Sequence, residues 1–198
     1  EQAAAMREAV RGAALGHVPV VVDPVACGVI PRKAEMLAEL KKLGTIGVIK
    51  GNGAEIKSLA GLKAEACGVD SLDTGENLDV ACSQLALADD LIAAATGKVD
   101  VVSDGANLVR IYNGTELFTC ITGAGCMVGG LVAAAVGAVP ERMLAATVTA
   151  LTAFNIAGER AVRSGAAGPG SFRGILLDQL SALRGADLLR EARLEWQK

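Results

Sequence analysis

The stretch that decides the fold is IGVIKGNGAE at residues 46–55, where a short β-branched run turns directly into glycines and polar side chains. Such a run predicts a buried strand that ends in a turn. Ahead of it, leucines recur at helical spacing between Pro31 and Gly44, which predicts a helix. A second β-branched run lies at residues 18–22. Strand, helix and strand in this order predict a parallel β-α-β unit.

The rest of the chain continues this alternation and then becomes helical. Asn113-Gly114, between two of the predicted strands, is the signature of a two-residue hairpin. We therefore predict one α/β domain over residues 1–198, with a mostly parallel central sheet, an antiparallel edge and helices on both faces. The remaining predicted helices are at 1–15, 76–88, 127–139, 141–163 and 171–183, and the remaining predicted strands at 91–95, 99–103, 108–112 and 116–120.

The composition of the 198 residues excludes several classes of protein. Hydrophobic residues make up 52% and charged residues 21%, too apolar a balance for a disordered chain, and no run of 18 apolar residues offers a membrane span. The net charge is −3, and only one Trp, one Tyr and three Phe are present to stack on bases. We expect a globular protein that binds neither a membrane nor nucleic acid.

The cysteines indicate a reducing compartment. There are five, an odd number, without a CxxC pair and with only one histidine in the chain, so neither a disulfide framework nor a zinc site is supported. The first ten residues are charged and helix-forming, and they lack the basic-then-apolar order of a secretory signal. We therefore expect the protein in the cytoplasm.

The strongest functional signal is the small-residue turn TGAGC at residues 122–126, which leads into an apolar helix. Backbone N–H groups of such a turn, at the positive end of a helix dipole, form a cradle for an anion such as a phosphate. We assign this anion hole to Gly123, Ala124, Gly125 and Cys126. The turn is neither a Walker loop nor a Rossmann fingerprint. The alternative is a tight turn that serves packing alone.

Polar side chains also follow the predicted strands, at the edge where parallel sheets bind ligands. Asp23 comes directly after the first strand, Lys50 and Glu55 follow the next, and Thr96 follows a third. Mg²⁺ favours one or two carboxylates together with phosphate oxygens and water, so carboxylates that face an anion cradle indicate magnesium. The alternative is that each is an ordinary turn, in which an Asp or Asn satisfies its own backbone.

Six motifs follow one another along the chain, namely Asp23-Pro24-Val25, Gly51-Asn52-Gly53-Ala54-Glu55, Gly68-Val69-Asp70-Ser71, Thr96-Gly97-Lys98-Val99-Asp100, Thr122-Gly123-Ala124-Gly125-Cys126-Met127 and Gly168-Pro169-Gly170-Ser171-Phe172. In this order they resemble the motifs of hydroxyethylthiazole kinases, over nearly the whole chain. The resemblance implies a ribokinase-like fold and homotrimers with active sites between subunits. It also implies phosphorylation of the hydroxyethyl group of 4-methyl-5-(2-hydroxyethyl)thiazole by Mg-ATP, in thiamine biosynthesis and salvage.

The resemblance implies roles for two residues of the small-residue turn. Cys126 is the candidate base that accepts the proton of the substrate hydroxyl, at a position where many ribokinase-like relatives have Asp. Gly123 also contacts the substrate. A small buried residue at position 126 is the alternative.

The resemblance likewise implies roles at the strand ends. Lys50 and Thr96 contact the phosphates of ATP, and Asp23 and Glu55 organise Mg²⁺, directly or through water. The family more often has Arg where this chain has Lys50. Lysine keeps the charge and loses the bidentate fork that guanidinium offers to phosphate.

A second departure concerns the start of the chain. The family has an N-terminal block with further strands and a loop that contacts the thiazole, and we expect this block to be missing here, so that Glu1 corresponds to an internal helix. Two other functions stay open. One is another ribokinase-like kinase, for example of hydroxymethylpyrimidine, which Cys126 in place of Asp disfavours. The other is a fragment that binds nucleotide without turnover.

Overall fold

Six strands form one sheet in the computed structural model, which describes residues 1–62 and 77–198. The Gly68–Ser71 motif lies outside the described residues. The strands are β1 (Val20–Val22), β2 (Ile46–Asn52), β3 (Ile92–Thr96), β4 (Asp100–Ser103), β5 (Leu108–Ile111) and β6 (Leu194–Gln197). The helices are α1 (Gln2–Gly16), α2 (Pro31–Leu43), α3 (Gly53–Leu59), α4 (Leu78–Asp89), α5 (Ala124–Ala138), α6 (Met143–Arg163), α7 (Pro169–Ala182) and α8 (Gly185–Glu191), with 3₁₀ turns at Glu116–Cys120 and Pro140–Arg142.

The sheet is mixed, and its strands lie side by side in chain order. β1, β2 and β3 are parallel neighbours, whereas the three pairs from β3 to β6 are antiparallel. The sheet is therefore less parallel than the sequence predicts. The carboxyl ends of β1, β2 and β3 meet at one edge, and β4 begins at this edge because it runs antiparallel to β3. We call it the site edge.

Helices cover both faces of the sheet, and the predicted α/β class is confirmed. Val48 and Ile49 belong to two different core clusters, because successive side chains of a strand point to opposite faces. The Val48 cluster includes Val132 of α5 and Phe154 of α6, and the Ile49 cluster includes Leu85 of α4. Each of the six predicted helices overlaps a helix of the structure, namely α1, α2, α4, α5, α6 and α7.

The predicted hairpin at Asn113-Gly114 is wrong. Residues 116–120, which the sequence predicts as a strand, form a 3₁₀ turn, and β5 pairs instead with β6 near the end of the chain. The antiparallel edge itself is present. Its hairpin joins β4 to β5 around Gly105, whose φ of 90° lies in the left-handed region that favours glycine.

The side chain of Asn113 explains why the local signal fails. It is buried, and it bonds to residues far along the chain rather than to its own turn. Its amide donates to the carbonyl oxygen of Glu191 at 3.0 Å, and its oxygen accepts from the N–H of Arg193 at 2.7 Å. Asn113 therefore holds the segment that leads into β6 beside the end of β5.

Among residues 1–62 and 77–198, no single helix has the length and apolarity to span a membrane. α5 and the segment Pro140–Arg163 reach the required length and apolarity only as a pair, and this pair is bent by 111° at its break.

We expect Asn113→Ala to destabilise the fold by about 1–3 kcal/mol, because it removes a buried amide that bonds to the Glu191 carbonyl oxygen and to the Arg193 N–H. Urea denaturation gives the free energy of unfolding. Trp196, which lies in β6 and is the one tryptophan of the chain, provides the fluorescence signal. Asn107→Ala is the control, because that amide donates to Asp104 within its own turn. An equal loss in both variants would contradict the assignment.

Candidate functional site

Lys50 is the centre of the candidate site. It lies near the end of β2, and its side chain is only 3% exposed. Its Nζ donates to Oδ2 of Asp23 at 2.9 Å and to the carbonyl oxygen of Gly125 at 3.1 Å. Asp23 follows β1, and Gly125 lies in the first turn of α5. One buried ammonium group therefore joins two strand ends to the predicted anion cradle.

Gly51, the residue after Lys50, allows the surrounding loops to approach. A Cβ atom at this position would lie 2.9 Å from Oε2 of Glu55 and 3.3 Å from Cγ of Pro24. Any larger residue would push aside the Glu55 carboxylate or the loop that follows β1. The glycine of this motif is therefore a steric requirement of the site.

Glu55 ties the loop after β1 to the end of β2. Oε1 accepts from the N–H of Ala26 and Oε2 from the N–H of Asn52, both at 2.9 Å. The Asn52 side chain accepts from the Glu55 N–H in return, so the two residues form a capping box at the start of α3. Ala26 has a φ of 61°, and the Glu55 carboxylate holds this left-handed residue in place.

Glu55 has a structural role in addition to any binding role. Both of its oxygens already accept backbone N–H bonds, so the residue holds the geometry of the site whatever else it binds. The signal for this role is present in the sequence, because Asn52 followed three residues later by Glu55 is the spacing of a capping box.

The predicted anion cradle opens directly into α5. Gly123 precedes the helix with a φ of 90°, a left-handed conformation that favours glycine, and the helix begins at Ala124. The first N–H groups of a helix have no partner within it, and they lie at the positive end of its dipole. Cys126 lies in this first turn, and its side chain is exposed. The turn can therefore bind an anion with a thiol beside it.

An aromatic cluster anchors the segment in front of the cradle. The ring of Phe118, in the 3₁₀ turn, stacks on Phe154 of α6 at 4.8 Å and meets Phe172 of α7 edge-on at 5.6 Å. Gly158 of α6 leaves room for this ring, since a Cβ there would lie 2.4 Å from its Cζ. Packing against α6 and α7 thus fixes the approach to the cradle.

Thr96 lies at the end of β3, next to the end of β2. It pairs in register with Asn52, and its hydroxyl donates to the carbonyl oxygen of Gly51 at 3.3 Å. The structure therefore brings Thr96, Asp23, Lys50 and the cradle to the site edge. No direct bond joins Thr96 to Lys50, and their relation is that of neighbouring strand ends.

Asp100 is a residue of this edge to which the sequence analysis gives no role. It is the first residue of β4, and only 4% of it is exposed. Its oxygens accept from the N–H of Gly97 at 2.9 Å and from the side-chain amide of Asn155 at 2.8 Å. Burial raises the pKa of Asp100 to about 6, although these two bonds and the Lys50 charge act in the opposite direction. A buried acid cannot be recognised from sequence, because its partner on α6 is 55 residues away.

A magnesium ion is compatible with the acid at the end of β1. Asp23 is 28% exposed at the edge, and a single carboxylate with phosphate oxygens and water is a common Mg²⁺ environment. Glu55 fits less directly, since both of its oxygens are already engaged. Within residues 1–62 and 77–198, no group of three or more His, Cys, Asp or Glu side chains is placed to hold a metal by itself.

These features define a class of protein, an α/β enzyme that handles phosphate at the carboxyl ends of parallel strands. The model of the hydroxyethylthiazole kinase family matches residues 1–185, and the chain belongs to this family. The predicted family, fold class and kinase activity class are confirmed.

The similar proteins agree with this assignment. The hydroxyethylthiazole kinase of Syntrophomonas wolfei is 58% identical over 196 residues, which cover 99% of this chain and 74% of that protein. The hydroxyethylthiazole kinase of Desulfitobacterium hafniense is 50% identical over 197 residues, with shares of 99% and 73%. A solved hydroxyethylthiazole kinase from Pyrococcus horikoshii superposes with a TM-score of 0.86 at 32% identity, over 99% of this chain and 72% of that one.

Proposed function

We propose that this chain transfers the γ-phosphoryl group of ATP to the hydroxyethyl group of 4-methyl-5-(2-hydroxyethyl)thiazole, in thiamine biosynthesis. The observation that carries the proposal is the pair of bonds from Lys50 to Asp23 and Gly125, because they bring a cation and a carboxylate to an anion cradle. Phosphoryl transfer depends on positioning and charge neutralisation more than on covalent help. The names of the two bacterial relatives support the acceptor.

The cradle holds the phosphoryl group in transfer. N–H groups from Gly123 to Cys126 point from the start of α5, where the helix dipole favours negative charge. Cys126 accepts the proton of the substrate hydroxyl, and its exposure makes it accessible to that hydroxyl. Gly123 contacts the substrate, a role that the family resemblance supports.

Lys50 and Thr96 contact the phosphates of ATP. An ammonium group has three N–H donors, and two of those of Lys50 already point to Asp23 and Gly125. The third remains for a phosphate oxygen. The Thr96 hydroxyl makes a bond of 3.3 Å to Gly51, which is long for an O–H donor and therefore readily exchanged for a phosphate.

Asp23 binds Mg²⁺ directly, and Glu55 does so through water. When bound, the ion neutralises charge on the phosphates. Asp23 keeps an oxygen beyond the one that faces Lys50, and it lies at the exposed end of its strand. Glu55 fixes the loop that carries Asp23, because its carboxylate accepts a hydrogen bond from the N–H of Ala26 in that loop.

Residues 1–198 act as one kinase domain that assembles into a homotrimer in the cytoplasm. The family resemblance supports the trimer, and so do the small side chains exposed along α5, such as Ala133, Ala134 and Gly137.

Light scattering that finds a stable monomer at micromolar concentration would contradict the trimer. Free thiols at Cys27, Cys82, Cys120 and Cys126 agree with a reducing compartment.

The identity of the phosphoryl acceptor is tested by measuring ADP release with two alcohols. With saturating Mg-ATP we expect turnover with the thiazole alcohol at least about tenfold faster than with hydroxymethylpyrimidine, the discrimination that a shaped pocket provides. Faster turnover with the pyrimidine would assign the other kinase activity. Nucleotide binding without ADP release from either acceptor would favour the non-catalytic alternative.

Magnesium dependence tests the acids at the site edge. We expect Asp23→Asn to raise the half-saturating Mg²⁺ concentration at least about tenfold, because a neutral amide is a poor ligand for this ion. Glu55→Gln raises it less, and it also lowers the free energy of unfolding by about 1–3 kcal/mol, since its NH₂ group faces a backbone N–H. Glu35→Gln, an exposed acid on α2, is the control. An unchanged Mg²⁺ titration in both site variants would refute the assignment.

Substitution of Cys126 tests the proposed base. General-base help is typically worth 10²–10⁴-fold, so Cys126→Ser should reduce kcat within about this range while ATP still binds the backbone cradle. Cys126→Asp should retain activity, because a carboxylate is already ionised at neutral pH and related folds use Asp at this position. A kcat near the wild-type value in Cys126→Ser, with chemistry shown to limit the rate, would refute the base role, and the exposed side chain already argues against the alternative of a small buried residue.

A further inference from the structure

Asp100 is an ionisable side chain buried at the site edge. It begins β4, and β4 runs antiparallel to β3, so Asp100 lies beside the carboxyl end of the strand that carries Thr96. Carboxylates are rarely buried to this extent unless they are paired. The residue belongs to none of the catalytic, metal or phosphate roles described above.

The two carboxylate oxygens of Asp100 reach in different directions. Oδ1 accepts from the N–H of Gly97, the residue directly after Thr96, at 2.9 Å. Oδ2 accepts from the side-chain amide of Asn155 at 2.8 Å, and Asn155 is itself buried in the middle of α6. The helix thus holds the carboxylate, and the carboxylate holds the turn that leaves β3.

Burying the negative charge of Asp100 costs free energy. The raised pKa means that burial disfavours the charge more than the two hydrogen bonds and the Lys50 ammonium favour it. Lys50, on β2, is the charged group of the described residues that acts on this carboxyl, and the neighbouring donors from the turn and from α6 are neutral. A cost of this kind at the edge of a binding site points to a functional role.

We propose that Asp100 is a positioning residue for ATP, which fixes the Gly97 N–H and thereby the turn that carries Thr96. Asn155 sets the orientation of the Asp100 carboxylate. The proposal rests on the assignment of Thr96 to the phosphates of ATP. It adds an element that the strand ends alone do not provide, a rigid support under the nucleotide.

The test measures nucleotide binding directly, as the Kd of a non-hydrolysable ATP analogue with Mg²⁺ by titration calorimetry, together with the KM for ATP and kcat. We expect Asp100→Ala to weaken binding and raise the KM for ATP about ten- to a hundredfold, the effect of one lost charge-assisted hydrogen bond. The KM for the thiazole alcohol should change less than about threefold. Asp100→Asn should stay within about threefold of the wild type in the Kd, in both KM values and in kcat. Its oxygen still accepts from Gly97, and the Asn155 amide can turn to accept from the new NH₂ group.

Asp104→Ala is the matched control at the opposite end of β4. Its carboxylate also caps a turn, by accepting from the N–H groups of Ala106 and Asn107 at 3.0 and 2.6 Å. We expect this variant to lose stability and to keep the Kd of the analogue. Equal Kd values for Asp100→Ala and the wild type would overturn the proposal. So would an equal weakening in Asp104→Ala.

Asn155→Ala provides the answer if Asp100→Ala does not fold. It removes the donor to Oδ2 and leaves the Gly97 bond, so we expect a smaller change in the Kd, about two- to fivefold. No change in this variant would overturn the proposal. Calorimetry also separates the proposed role of Asp100 from the proposed phosphoryl acceptor. A wild-type protein that binds the analogue but does not phosphorylate the thiazole alcohol contradicts the proposed acceptor and leaves the role of Asp100 intact.

Discussion

The geometry of the site depends on one buried ammonium group. Lys50 bonds to the acid after β1 and to the first turn of α5, so the distance between the strand ends and the anion cradle is set by a single side chain. A buried charge is costly unless it is paired, and the Lys50 ammonium has the Asp23 carboxylate and the Gly125 carbonyl oxygen as partners.

Other groups near the same edge fix the backbone around Lys50. Glu55 fastens the loop after β1, Asp100 fastens the turn after β3, and the Phe118 ring fixes the segment in front of the cradle. The two carboxylates accept hydrogen bonds from backbone N–H groups, whereas the Phe118 ring packs against the rings of Phe154 and Phe172. Preorganised dipoles stabilise developing charge without reorganisation during the reaction, which is the advantage that offsets the cost of burying them.

The sequence predicts those parts of the fold that local patterns determine. The strand predicted at residues 46–49, the helix after Pro31 and the glycine turn before α5 all follow from short-range periodicity and turn chemistry, although the strand continues to Asn52 in the structure. The hairpin at Asn113 fails because the asparagine bonds to Glu191 and Arg193, about 80 residues away. β6 is missed because its four residues alternate too briefly to stand out from the helices around it. In the site, the residue types could be predicted, whereas the long-range bonds that orient them could not.

The surroundings of Lys50 favour lysine over arginine at this position. Its ammonium group lies 3.1 Å from the carbonyl oxygen of Gly125, and even a Cβ on that glycine would lie only 3.4 Å from Nζ. A guanidinium group is longer and planar, so it would displace the start of α5 or turn away from Asp23. Lysine keeps these two contacts, but it cannot form the two parallel hydrogen bonds that arginine makes to phosphate. In the proposed reaction, directional binding of the phosphate would therefore fall to the backbone N–H groups at the start of α5.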